Sequence, residues 1–116
     1  MEINGEIVND QVRYADLGLS PELMRAIDKK GYVQATPVQG GSIPYFMEYK
    51  DVIAKAPTGT GKTFAFGIPM VEHIDPESRD VQGLVLAPTR ELAIQITDEI
   101  RDLAALKPGV RTVCLY

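Results

Sequence analysis

The sequence predicts an α/β domain, a parallel sheet flanked by helices and reduced to about three strands. Three observations carry that expectation. Short apolar runs at 52–56, 84–87 and 110–115 recur along the chain. Stretches with helical spacing and clear start signals lie between them. The first run then breaks into Ala56-Pro57-Thr58-Gly59-Thr60-Gly61-Lys62-Thr63, the strand–loop–helix grammar of a phosphate-binding loop. Apolar strands alternating with helices bury both sheet faces, which is the habit of parallel sheets.

Taken in order, residues 1–13 read as a loosely ordered lead-in anchored by Ile3, Ile7 and Val8. Ser20-Pro21-Glu22 is a helix start: a capping hydroxyl, a proline at the first helical position and an acid in the first turn. Leu23, Ala26 and Ile27 share one face of this helix, and Gly31 stops it. Thr36-Pro37 repeats the start signal. The second helix is expected to be short, because Pro44 disfavours helical geometry at Ile43, with a separate turn at 45–50.

After the strand at 52–56 a helix is expected over 61–74, kinked at Pro69. A polar loop covers 75–80 and a second strand 84–87. Thr89 caps a long helix, 90–106, whose Leu92, Ile96, Ile100 and Leu103 repeat at helical spacing and should face the sheet. Lys107-Pro108-Gly109 ends it before the third strand. Three strands leave unpaired edges, which could support self-association and suggest a fragment.

Composition narrows the function. The chain has 116 residues, 45% of them hydrophobic, enough for one small domain with a real core. No run of about 18 apolar residues offers a membrane span. Nothing at the start reads as a signal peptide, and Cys114 has no cysteine to pair with, so a cytoplasmic setting is expected. A net charge of −4 argues against a wholly basic nucleic-acid surface, yet leaves room for local contacts from backbone N–H groups and an arginine or two.

The chemistry concentrates at the loop. Gly59 and Gly61 can adopt conformations that other residues resist, letting backbone N–H groups converge on phosphate oxygens. The helix start behind them adds free donors and a positive dipole end. Lys62 would reach the β- and γ-phosphates, and the Thr63 hydroxyl would ligate Mg²⁺. The general pattern G-x-x-x-x-G-K-[ST] begins with Gly where this chain has Ala56. A plain Gly-rich turn is the bland alternative; the strand before and the helix after favour a nucleotide site.

In a parallel sheet, ligands gather beyond the carboxyl ends of the strands, so the turn after the second strand should share the rim. There Thr89 opens a helix N-terminus beside Arg90, a place that favours an anion. Taken alone it is an ordinary N-cap. Gln39, one turn into the second helix, has an amide that can donate to adenine N7 and accept from N6. Alone, it too reads as solvated surface. His73 lacks a second ligand at metal-binding spacing, Asp98 and Glu99 fall on the polar side of a helix, and Met24, Met47 and Met70 read as core filler.

Together, Gly31-Tyr32, Thr36-Pro37-Val38-Gln39, Ala56 to Thr63 and Pro88-Thr89-Arg90-Glu91-Leu92-Ala93 occur in one order. Over residues 12–116 the chain resembles the N-terminal part of a DEAD-box RNA helicase, with a RecA-like P-loop fold. The resemblance implies a Q motif over 14–39, the P-loop at 56–63 and an RNA-contact motif at 88–93. It also explains Ala56, since the family's loop begins with Ala. By the same resemblance Tyr14, where the family usually has Phe, packs on adenine, and Gln39 reads the base edge. Ala56, Pro57, Thr58, Gly59, Thr60, Gly61, Lys62 and Thr63 hold ATP or ADP with Mg²⁺, while Pro88, Thr89, Arg90 and Glu91 meet the RNA backbone.

The family's acidic strand-end motif does not occur in residues 1–116, nor does its second helicase domain. The piece should therefore bind nucleotide without turning it over. Other P-loop classes, such as a nucleotide kinase or a DNA helicase, and a folded but non-enzymatic fragment stay open as alternatives.

Overall fold

The computed structural model describes residues 2–3, 6–7, 12–57 and 61–116. Its elements in chain order are β1 Glu2–Ile3, β2 Glu6–Ile7, β3 Val12–Arg13, a 3-10 turn Tyr14–Asp16, α1 Pro21–Lys29, β4 Gln34–Ala35, α2 Pro37–Met47, β5 Ala54–Lys55, α3 Lys62–His73 and α4 Arg90–Ala104. Helices dominate. α3 packs between α2 and α4, and α1 rests against α4. The core they enclose holds Leu23 and Ile27 of α1, Ile43 of α2, Phe64, Ile68 and Val71 of α3, and Ile96, Ile100 and Leu103 of α4.

The start signals act as their chemistry requires. Ser20 Oγ accepts from the Leu23 N–H at 3.4 Å, and Thr89 Oγ1 accepts from the Leu92 N–H at 3.2 Å. α2 departs from expectation, since it runs through Pro44 to Met47 instead of stopping at Ile43. Proline inside a helix costs about 3 kcal/mol. Val38 and Ile43, both buried on that helix, return about 1.5–3 kcal/mol each, so packing prevails. α3 likewise keeps Pro69 inside its span, with that residue buried.

On α4 the expected face is largely right. Ile96, Ile100 and Leu103 are buried, but they meet α3 and α1 instead of a sheet, and Leu92 at the first turn is exposed. Met24, Met47 and Met70 do fill gaps at the core margin. Cys114 is half-buried.

The strands differ most from expectation. β5 shortens the expected 52–56 run to two residues, and its partner is β1, antiparallel, with Glu2 opposite Lys55 and Ile3 opposite Ala54. β2 adds to the other side of β1, so the lead-in supplies two strands of this sheet, while β3 and β4 form a separate antiparallel pair. Val8 lies outside the described residues.

The runs at 84–87 and 110–115 form no strand, so the expected parallel ladder is not present among the described residues. Nor are the runs buried on both faces as expected: Val85, Ala87 and Val110 pack on the core margin, whereas Leu84 and Leu86 are exposed. Each run thus lies along the helices by one face, without the lateral hydrogen bonds that make a ladder. No helix among the described residues is long and apolar enough to cross a membrane.

Three tethers tie the helix ends together. The Glu72 carboxylate near the end of α3 accepts from the backbone N–H and hydroxyl of Ser20, ahead of α1. Lys30 pairs with Asp102 of α4 at 2.8 Å. Lys107 Nζ donates to the carbonyls of Val71 at 2.7 Å, Glu72 at 3.2 Å and Ile74 at 2.8 Å, closing the C-terminus of α3. These are the carbonyls a helix leaves unsatisfied, and a cation suits that end of the dipole. Lys107→Met keeps the stem and removes the donors, so it should lower stability by about 2 kcal/mol. Urea unfolding followed by circular dichroism checks this; an unchanged midpoint would mean the carbonyls find water equally well.

Candidate nucleotide-binding site

The site begins with one left-handed residue. Gly61, the N-cap of α3, sits at φ 82°, ψ 30°, a region that costs residues with a Cβ roughly 1–2 kcal/mol. Space reinforces the backbone constraint, because a Cβ there would strike the side-chain nitrogen of Gln39. Gln39 stands at the third position of α2, 2% exposed. Its Nε2 donates to the Gly61 carbonyl at 3.1 Å, and its Oε1 accepts from the Thr36 N–H at 3.0 Å. Oε1 also accepts from the Tyr14 hydroxyl.

Two expected site residues, Tyr14 and Gln39, are therefore joined to the end of the phosphate loop through one amide. Secondary structure positions each of them. Tyr14 follows β3, and its N–H donates to the Val33 carbonyl at 3.2 Å, just before β4. Its ring belongs to the core and is 2% exposed. Burial pushes the phenol up from 10.0 to about 12, while the hydrogen bond to Gln39 pulls down and Tyr32 adds a smaller push upward. The phenol is thus a protonated donor throughout the neutral range.

The Thr36 hydroxyl is buried at the head of α2 and would lie 3.4 Å from a Cβ at Gly61. The Gln39 backbone N–H of the capping box faces it, the contact expected of a threonine at this position. Thr36 was expected only as a cap. Its spacing to Gln39 matches S/T-x-x-E/Q, the capping box, and that pattern is the sequence signal for the Thr36–Gln39 bond. Nothing in the sequence signals the bond from Tyr14.

Of the loop itself, Ala56 is half-buried and Pro57 exposed, just after β5. Thr58, Gly59 and Thr60 lie outside the described residues. Lys62 is exposed and Thr63 half-buried on the first turn of α3. Pro88, Thr89, Arg90 and Glu91 are all exposed at the start of α4. The Arg90 guanidinium stands over the Tyr116 ring, 5.0 Å from its centroid, a cation–π contact that orients the side chain.

Among the described residues no cluster of three or more His, Cys, Asp or Glu could hold a metal. His73 stacks on Tyr49 with ring centroids 4.1 Å apart.

The family model described as DEAD/DEAH box helicase matches residues 36–116, which include Gln39, the loop and the start of α4. The chain belongs to the DEAD/DEAH box helicase family. It is similar to the DEAD-box ATP-dependent RNA helicase CshA of Bacillus subtilis, 54% identical over 89 residues, covering 77% of this chain and 18% of that protein. CshA of Geobacillus kaustophilus is 50% identical over 103 residues, covering 89% of this chain and 22% of that protein. The chain thus spans about a fifth of the curated relatives it matches.

Solved structures agree on the backbone. The DEAD box protein of Methanococcus jannaschii superposes with a TM-score of 0.74 at 37% identity, over 81% of this chain and 26% of that one. Saccharomyces cerevisiae Dbp5 bound to RNA and ADP BeF3 gives 0.75 at 31% identity, over 82% and 25%. The RecA-like class expected from the sequence is therefore shown, although no parallel ladder forms among the described residues.

The raised phenol makes a direct test of this site. Its folded value exceeds the ordinary 10.0, so Tyr14 stabilises the fold fully below pH 10 and loses that contribution as pH rises through about 12. Tyrosinate absorbance at 295 nm should show a step near pH 12 that is missing in Tyr14→Phe. A wild-type curve without that step would mean the ring is solvated.

Proposed function

We propose that this chain is the adenine-nucleotide- and Mg²⁺-binding part of an ATP-dependent RNA helicase, a P-loop enzyme whose RNA contacts it shares. The observation that carries the reading is the Gln39–Gly61 bond, which links the residue expected to read the base to the residue that ends the phosphate loop. The capping box between Thr36 and Gln39 fixes that amide where a nucleotide would meet it. The residues present fit such a ligand. Lys62, exposed at the start of α3, would counter phosphate charge, and the Thr63 hydroxyl would hold Mg²⁺. When bound, Mg²⁺ neutralises charge on the phosphate oxygens.

Each residue then has a distinct task. Gly61 fixes the direction in which the amides of the first α3 turn point, and those amides meet phosphate at the positive end of the helix. Tyr14 would pack on adenine, and Gln39 would read the base edge. Thr89 and Arg90, exposed at the start of α4 with Pro88 and Glu91 beside them, would meet RNA phosphates, which suits the backbone-directed contacts that helix starts make. The domain plan follows: a Q motif over 14–39, the P-loop over 56–63 and the RNA-contact motif over 88–93. The relatives' names support RNA and ATP as the partners of the whole protein. This chain by itself binds without turnover, since phosphoryl transfer depends on positioned charges that residues 1–116 do not supply.

Calorimetric titration of the 116-residue chain with Mg-ADP tests the reading. Lys62→Ala should weaken binding by about 1.5–3 kcal/mol, the worth of a charge-assisted hydrogen bond. Gln39→Ala should weaken it by about 1–3 kcal/mol. Equal affinity in wild type and Lys62→Ala would remove the phosphate loop from the site. A steady-state assay should detect no ATP hydrolysis with or without RNA; turnover that vanished in Lys62→Ala would refute the inactive-piece reading. For RNA, Arg90→Ala in the longer protein should lower affinity similarly for all sequences and flatten the salt dependence by about one phosphate contact.

A further inference from the structure

We infer that Tyr116 is a positioning residue for RNA binding: its ring holds the Arg90 guanidinium at the start of α4 and leaves the N–H donors free for a phosphate. The inference rests on the reading of Arg90 as an RNA-phosphate contact and asks what orients that side chain. Arg90 is exposed on the first turn of α4, and Tyr116 is 78% exposed. The guanidinium carbon lies 5.0 Å from the ring centroid. Among the described residues Arg90 makes no ion pair, not even with the neighbouring Glu91.

The path of the chain makes this meeting a product of the fold. Val110 packs on the core margin, and Arg101 Nη2 donates to the Thr112 carbonyl at 2.9 Å. Those two contacts fasten the run after α4 to the side of that helix. From there it heads back toward the helix start. Between Arg101 and Arg90 the helix covers about 16 Å. An extended path from Thr112 to Tyr116 covers about 13 Å, and side-chain length closes the rest.

The chemistry of the contact suits a phosphate site. Attraction of a cation to a ring face is electrostatic and consumes no N–H donor, so the guanidinium fork keeps its donors for phosphate oxygens. An exposed arginine otherwise samples many rotamers. Holding it near one conformation cuts the ordering cost of binding. The ring is too exposed to serve the core, which leaves Arg90 as the group it acts on.

Fluorescence anisotropy of a labelled single-stranded oligouridine with the longer protein tests this. Tyr116→Leu should weaken binding about two- to fivefold, the worth of an exposed cation–π contact, and Tyr116→Phe should keep wild-type affinity. In an Arg90→Ala background Tyr116→Leu should cost nothing further. A loss that persists in that background would mean the ring meets RNA itself. No loss in Tyr116→Leu, while Arg90→Ala still weakens binding, would mean the guanidinium needs no support. Either result overturns the inference and spares the RNA reading. If Arg90→Ala leaves affinity unchanged, both fall together. In the 116-residue chain without RNA, the Arg90 δ-methylene proton resonances should sit upfield under the ring current and move back in Tyr116→Leu. Resonances that stay in place also overturn the inference.

Discussion

The buried amide of Gln39 is the constraint on which the site depends. It reaches three segments that are far apart in sequence: the turn at Tyr14, the start of α2 at Thr36 and the end of the phosphate loop at Gly61. A buried amide tolerates little slack, because each unmet donor or acceptor costs about 1–3 kcal/mol. The three segments must therefore keep their mutual positions or lose the bonds together. Gly61 follows from the same geometry. Its left-handed backbone and missing Cβ let the Gln39 nitrogen approach, so the amide and the glycine are two halves of one fit.

Around that point the molecule is held by its helices. The tethers from Ser20 to Glu72 and from Lys107 to the end of α3 join α1, α3 and the chain after α4. With Lys30 and Asp102 added, every link runs between helix ends. The strands contribute less, each being two residues long. This explains how a RecA-like backbone can be matched closely while its sheet is incomplete. The helices bury most of the apolar surface, and burial is the larger favourable term.

Much of this was legible in the sequence. Ser20-Pro21, Thr36-Pro37 and Thr89 announced three helix starts because capping depends only on neighbouring residues. Leu23 with Ile27, and Ile96 with Ile100, gave the buried faces by spacing alone. Pro44 misled, because a local penalty says nothing about the packing that overrides it. The runs at 84–87 and 110–115 misled for a different reason: apolar composition reports that side chains can be buried, but a ladder needs a neighbouring strand that the run itself cannot supply. At the site, Gln39 and Gly61 were legible as a pair of motifs in order. Their direct bond, and the hydroxyl of Tyr14 on the same oxygen, were not, since both depend on side-chain approach across 22 and 25 residues.

The exposed side of these runs has a consequence for handling. Leu84, Leu86, Val113 and Leu115 are more than 70% exposed on runs that also pack inward. What holds such surfaces apart between molecules is repulsion between like-charged particles, and the chain has a net charge of only −4 at pH 7. That charge vanishes near pH 4.9, where colloidal stability is lowest and apolar contact between molecules meets no electrostatic barrier. Mild acid should thus favour contact between these apolar faces by removing the net charge that opposes it.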